Sequence, residues 1–575
     1  MKFLAMHYAA RLVSVLAILC VSCCAVDREA FTITNYDLNV RIEPEQHRLG
    51  ARGKITLRND STVPQKIAVL QISSSLDWRS ITVGGKSVQF VTQPYTSDID
   101  HTGGLSEAIV TLPQAIAPKG TVDLEIAYEG VILPDATRLT RIGAPDEAAR
   151  SSDWDRIDTD FTAVRGVGYV AWYPITTEVA NLSEGDSLFE VLGRWKVREY
   201  ASIMHVHIAV SRDDGELQEL VVNEASCKLM FEREGRASQY SADCTYQPLG
   251  SAAPAFVTGN YQDLERPTLL VHYLHSHDTA AASFADAAEK VVPLVTEWFG
   301  ALHEKARTAD LPDPQAAPYE SGSLLFTPLA NNDAKLAGLS AAHQLTHAAF
   351  YSPRPWINEG LAHFAQALYL EREKNRQSAI DYMGLHSSAF VRAEKPAAAE
   401  ADAKNSLVNA ANDELYRSKA MCVWWMLRDM VGDAELKKAI AAYRPEQDKE
   451  PSYMARLIAA QTQRDLEWFF DDWVYRDRGL PDFKVESAFP RKTATNTFIV
   501  AVTVENLGTA GAEVPVMVRF SSGEVVKRLE VRAKEKATIR VETPTAPTEV
   551  VVNDGSVPES DMRNNVLKIV PPVEP

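Results

Sequence analysis

Cysteine is scarce. There are six in 575 residues; Cys20, Cys23 and Cys24 crowd near the N-terminus, and only Cys227, Cys244 and Cys422 lie beyond them. That rules out a fold framed by disulfides, and no pair has the spacing of a zinc finger. Positive charge is also short: 59 Lys and Arg face 77 Asp and Glu, for a formal net charge of -18. With no dense Lys/Arg stripe to offset it, this balance counts against nucleic acid and anionic lipid as partners. Long apolar runs are missing too. The N-terminal run from Leu12 to Val21 is shorter than the roughly 20 residues a bilayer requires, so no transmembrane domain is expected in the mature chain. No internal repeat is present.

What is there begins with an export signal. Lys2 and Arg11 precede that apolar run, and small residues ending at Ala25 follow it, the pattern of a cleaved secretory segment over 1–25. The expected location is periplasmic or extracellular. Cys20, Cys23 and Cys24 leave a lipid-anchored form as an alternative, although Leu19, Ser22 and Cys23 make a poor approach to a lipidated cysteine. Cys227 and Cys244 flank a polar, Gly-containing stretch between strand-like segments and can pair in an exported protein. Cys422 sits in an apolar helical pattern and reads as a small core residue.

At this length several cores are required. Short alternating runs from Phe31 onward (YDLNVRIEP, KITLRND, TVDLEIAYEG) give a β-rich region over 26–277, with the polar interval from Asp146 to Asp160 read as loop. From Thr279 the apolar period becomes helical and recurs through Tyr475, interrupted by the Ala/Glu/Lys stretch from Glu394 to Lys404. This gives a mainly helical region over 278–483. Alternation returns after Pro481 (TFIVAVTVENLG, EVPVMVRFSSG), with turn residues between the runs, the pattern of a β-sandwich over 484–575. The expected class is α+β and multidomain.

The chemistry concentrates in His343-Gln344-Leu345-Thr346-His347, followed by Trp356-Ile357-Asn358-Glu359-Gly360-Leu361-Ala362. On a helix, i and i+4 share a face, so His343 and His347 can offer two imidazole nitrogens to one ion. Pro353 and Pro355 end that helix, and Glu359 falls in the first turn of the next, the natural third ligand. Two imidazoles and one carboxylate form a zinc site with an open fourth position. His363 follows Glu359 by one turn as a neighbour rather than a ligand. A histidine pair alone is more often an ordinary helix face, and the Trp356–Ala362 segment is what tips the reading toward metal.

These residues resemble the gluzincin zinc metallopeptidases, in particular the membrane alanyl aminopeptidase family and related peptidase MA-like domains. That family carries His-Glu-x-x-His and then Trp-Leu-Asn-Glu-Gly-x-Ala. DLEWFFDDWVYRDRGLPDF (Asp465 to Phe483) resembles the close of its catalytic domain, and YDLNVRIEPEQHRLGARGKITLRN resembles its N-terminal β-domain. The resemblance implies a saddle-like N-terminal β-domain, a thermolysin-like helical domain, an Ig-like C-terminal sandwich, a zinc cofactor and a peptide or protein ligand. It also implies that Tyr416 hydrogen-bonds the oxyanion of the tetrahedral intermediate. Glu320 takes the place of the glutamate that grips the substrate amine. The departure lies at Gln344, where the family has its general base. A neutral carboxamide accepts no proton near neutral pH, and the loss is worth about 10²–10⁴-fold in rate.

Three functions compete. The first is an aminopeptidase-type hydrolase with weakened or rerouted catalysis, in which Glu320 replaces the base if its strand reaches the metal. The second is an inactive zinc pseudopeptidase that binds peptides or envelope partners. The third gives the metal a structural role and the binding function to the sandwich.

Overall fold

The computed structural model describes residues 26–184, 187–212, 219–224, 226–235, 237–250, 252–331, 333–393, 406–410, 414–476 and 478–569. The expected export signal, with Cys20, Cys23 and Cys24, and the whole of the Glu394–Lys404 stretch lie outside the described residues.

The N-terminal β region is built on an eight-stranded sheet. Its two longest central strands, Phe31–Glu43 and Arg48–Asn59, pair antiparallel, and Phe31–Glu43 also pairs in parallel with Ile203–Arg212. Alternation drives this pairing: Tyr36, Leu38, Val40 and Ile42 turn inward and are buried, while Asp37, Asn39 and Arg41 turn outward. A disulfide joins Cys227 and Cys244 across the hairpin of Lys228–Glu234 and Ala237–Tyr246, so the available pair is bridged. Cys422 is buried and unbridged. The interval read as loop holds a helix, Asp146–Ser152, whose first turn carries Asp146 and Glu147. Acidic residues favour a helix N-terminus, and so short and polar a helix shows no apolar period.

The β region does not end at His277. Tyr261–Glu265 and Leu269–Leu274 belong to a five-stranded sheet completed by Ala306–Asp310, Leu324–Thr327 and Tyr319–Ser321, and the boundary expected at 277/278 therefore cuts through one sheet. Leu269–Leu274 and Ala306–Asp310 run parallel, which requires a crossover, and the Asp278–Phe299 helix supplies it. A core of Trp154, Phe161, Val257, Tyr261, Ala309 and Phe326 joins this sheet to the N-terminal region.

The helical region and the C-terminal strands share one large core. Trp473 Nε1 donates to Gly511 O at 2.7 Å, which ties the aromatic close of the helical region to the sandwich. The sandwich consists of a three-stranded and a four-stranded sheet. Among the described residues, no helix is long and apolar enough to cross a membrane.

Candidate metal centre

Two helices build the site. The histidine helix, Ala334–Ala349, starts at Asp333, whose carboxylate accepts from the N–H groups of Lys335 and Leu336. The glutamate helix, Pro355–Glu373, starts with proline at its first position, where a missing N–H costs nothing. Glycine lets them pack closely. A Cβ on Gly338 would lie 2.1 Å from Tyr369 Oη of the glutamate helix. A Cβ on Gly360 would lie 2.7 Å from Ala420 Cβ on the Ala420–Val431 helix. Trp356 is fully buried, stacks on Trp424 at 5.3 Å, and accepts from Trp424 Nε1 through its backbone oxygen at 3.3 Å. The tryptophan and glycine of the motif are thus packing residues that set the height of Glu359.

His343, His347 and Glu359 converge as a group able to hold a metal ion. Nε2 of His343 and Nε2 of His347 are 3.0 Å apart, and Glu359 lies 3.5 Å from His347 through Oε1 and 3.7 Å from His343 through Oε2. Donors around a tetrahedral zinc with bonds of 2.0–2.2 Å stand about 3.3–3.5 Å apart, so the set fits that ion with small adjustments. Among the described residues, Glu359 Oε2 is buried and accepts no hydrogen bond, which leaves its lone pairs open to an ion. The carboxamide of Asn358 sits 3.1 Å from His347 Nδ1 and its Oδ1 accepts from Ser352 N–H at 3.0 Å, fixing the rotation of the imidazole.

Glu320 joins this group. It sits on the edge strand Tyr319–Ser321, opposite Leu325, and its Oε2 lies 3.0 Å from His343 Nε2. The N-terminal region aims that strand: Ser321 Oγ accepts from Asn223 Nδ2 at 2.8 Å and donates to Ala253 O at 2.9 Å, while Tyr319 Oη donates to Arg165 O at 3.3 Å. Gly322, at φ +61, turns the chain into the next strand.

Tyr416 and Arg417 stand on a π-helical segment, Glu414–Lys419. Tyr416 is 5% exposed, so it is no surface tyrosine. Arg417 Nε lies 3.3 Å from Glu359 Oε2. Glu320, His347, Glu359, Tyr416 and Arg417 line one cleft of about 1040 Å³. Gln344 is buried, and neither atom of its carboxamide has a hydrogen-bond partner among the described residues. His363 is no surface residue either. Its ring packs 4.8 Å from that of His343 and 5.8 Å from that of His386, with both nitrogens buried and unpartnered.

Burial opposes charge throughout the cluster, and pairing decides the outcome. Burial alone would raise Glu320, but His343 and Arg417 bring it down to about 2. Burial likewise works to raise Glu359, and Arg417 followed by His347 holds it far below the ordinary carboxylate range. His343 is raised: burial lowers it, and Glu320 more than offsets this. Burial dominates at His347, which falls to about 4. Two ionised carboxylates and a neutral His347 suit a cation, whereas the raised His343 must give up its proton to bind one.

The sequence singled out His343, His347, Glu359, Glu320, Tyr416 and Gln344. The first five meet around the cleft, and Gln344 follows His343 on the same helix. Arg417 escaped notice, although its adjacency to Tyr416 was the available signal.

No family model matches this sequence, and no curated relative does either. Among solved structures, an M1 zinc metallopeptidase from Deinococcus radiodurans overlaps at 14% identity and a TM-score of 0.46, covering 75% of this chain and 91% of that one. A point mutant of an M1 zinc metallopeptidase from the same organism overlaps at 14% identity and 0.47, covering 79% and 96%. A mutant bound to a Tyr-Ser-Ala substrate gives 15% and 0.47, with 79% and 96% covered.

Proposed function

We propose that the protein is an exported, zinc-binding, metallopeptidase-like protein that hydrolyses peptides slowly in this cleft, with Glu320 taking over the proton-accepting role that Gln344 cannot fill. One observation carries the proposal: a second carboxylate, Glu320, stands 3.0 Å from His343 Nε2 on the cleft side of the ligand cluster. His343, His347 and Glu359 would hold the ion. Zinc bound there supplies Lewis acidity toward a peptide carbonyl and acidifies water. Glu320 Oε2 would accept the proton that attacking water must lose, and Tyr416, which lines the same cleft, would donate its hydroxyl to oxygen as negative charge builds on it. A low basicity at Glu320 fits slow turnover. The bridged Cys227–Cys244 pair supports export, because such bridges persist in oxidising compartments; a lipid anchor at the N-terminal cysteines is the alternative form of that location.

The test is hydrolysis of aminoacyl and short peptide substrates by zinc-loaded protein, with chelated protein and Glu320→Gln alongside. Turnover that chelation stops and Glu320→Gln lowers by 10²-fold or more supports the proposal. The orphaned carboxamide of Gln344 favours a second reading, a pseudopeptidase that only binds peptides. Tight peptide binding without any zinc-dependent turnover would establish that reading instead.

A further inference from the structure

Arg417 is a cation placed where the chain otherwise gathers carboxylates. The protein as a whole carries a formal charge of -18 and repels anions at long range. Within the cleft, Glu320 and Glu359 place two of those negative charges side by side. Arg417 lines the same cleft, with its side chain 35% exposed and its Nε 3.3 Å from Glu359 Oε2. It stands on a π-helical turn next to Tyr416, which is buried.

Keeping the pair partly wet spares it the desolvation cost of full burial and leaves the guanidinium open to a ligand in the cleft. Here the pair opens onto a cleft of about 1040 Å³, enough for several residues of peptide. Near one wall, the hydroxyls of Tyr200 and Tyr351 meet, linking the Ser187–Glu199 helix end to the chain just beyond the histidine helix. Both tyrosines line the cleft.

Resting on the peptide reading above, we propose that Arg417 makes this cleft select ligands that carry a carboxylate, which the guanidinium binds beside the metal cluster. The α-carboxylate of a short peptide and an acidic side chain share this chemistry. A planar guanidinium suits either one, by paired hydrogen bonds.

Calorimetric titration of the full-length protein, zinc-loaded and chelated, tests the proposal with three dipeptides: Ala-Phe as the free acid, Ala-Phe as the C-terminal amide, and Asp-Phe amide. The free acid is expected to bind about tenfold or more tighter than its amide. Arg417→Gln should abolish that difference, and Arg417→Lys should retain part of it. Recovery of affinity by Asp-Phe amide assigns the contact to a side chain; without recovery it belongs to the peptide terminus. Equal binding of acid and amide overturns the role of Arg417 and leaves the peptide reading standing, as does a difference that survives in Arg417→Gln. If no dipeptide binds, both fall. Zinc content and thermal midpoint of each variant show that it is folded.

Discussion

Glu320 Oε2 and His343 Nε2 stand 3.0 Å apart, whereas Gln344, the next residue of the same helix, buries a carboxamide that bonds to nothing. A carboxylate reaches the cluster from a neighbouring strand, while the position beside the first histidine carries a neutral carboxamide. Gln344→Glu should therefore raise kcat of the zinc-loaded protein by about 10²–10⁴-fold on any peptide it accepts. Initial rates on a fixed substrate panel check this. No gain would mean that residue 344 does not reach the reacting atoms and that Glu320 alone defines the proton path.

Zinc should stabilise the fold through the same three ligands. The donors lie close to tetrahedral separations before any ion is added, so little rearrangement opposes binding. At free zinc 100 times Kd, linkage gives about 2.7 kcal/mol of added stability. Urea midpoints with and without zinc measure it. His347→Ala should remove the zinc-dependent gain, and Gln344→Glu should not.

Gly360→Ala is expected to cost about 1–3 kcal/mol, because the new Cβ would sit 2.7 Å from Ala420 Cβ and 3.0 Å from Trp424 Nε1. The strain falls one residue after Glu359, so the variant should also bind zinc more weakly. Chemical denaturation combined with a zinc competition assay reads both effects. A loss of stability with unchanged zinc affinity would show that Gly360 serves packing alone.

The metal ligands were legible in the sequence because they depend on local geometry: the i, i+4 spacing of His343 and His347, the prolines at 353 and 355, and Glu359 in a first helical turn. Glu320 was singled out in the sequence as a substitute base, but whether its strand reaches the cluster was not legible. Its approach depends on the pairing of short strands, Ala306–Asp310, Tyr319–Ser321 and Leu324–Thr327, each too brief to show a period of two, and on Asn223 reaching Ser321 from another sheet. The same brevity hid the five-stranded sheet and moved the expected boundary to 277. Arg417 was illegible for a different reason. An arginine in a helical pattern is ordinarily solvated, and only tertiary packing reveals that this one faces Glu359.

Glu199 should make stability fall as pH rises through mild acidity. It is fully buried at the end of the Ser187–Glu199 helix, where Ile33 N–H and Tyr36 Oη each donate to it at 3.3 Å. Burial, only partly offset by Arg198 and these hydrogen bonds, lifts its carboxyl to about 7. An unfolded glutamate loses its proton near the ordinary value of about 4.3. Between those two values the folded state holds a proton that the unfolded state has released, so each step up in pH favours unfolding. The contribution is complete below about 4.3 and gone above 7, and it amounts to roughly 4 kcal/mol at most. Glu559, lifted to about 7 by burial in the sandwich, acts in the same direction. Glu199→Gln keeps a neutral, hydrogen-bonding side chain at every pH. Urea midpoints of the two proteins at pH 5 and pH 8 should then show a smaller decline in the variant than in the parent, and identical declines would mean that Glu199 ionises in the folded protein as freely as it does in water.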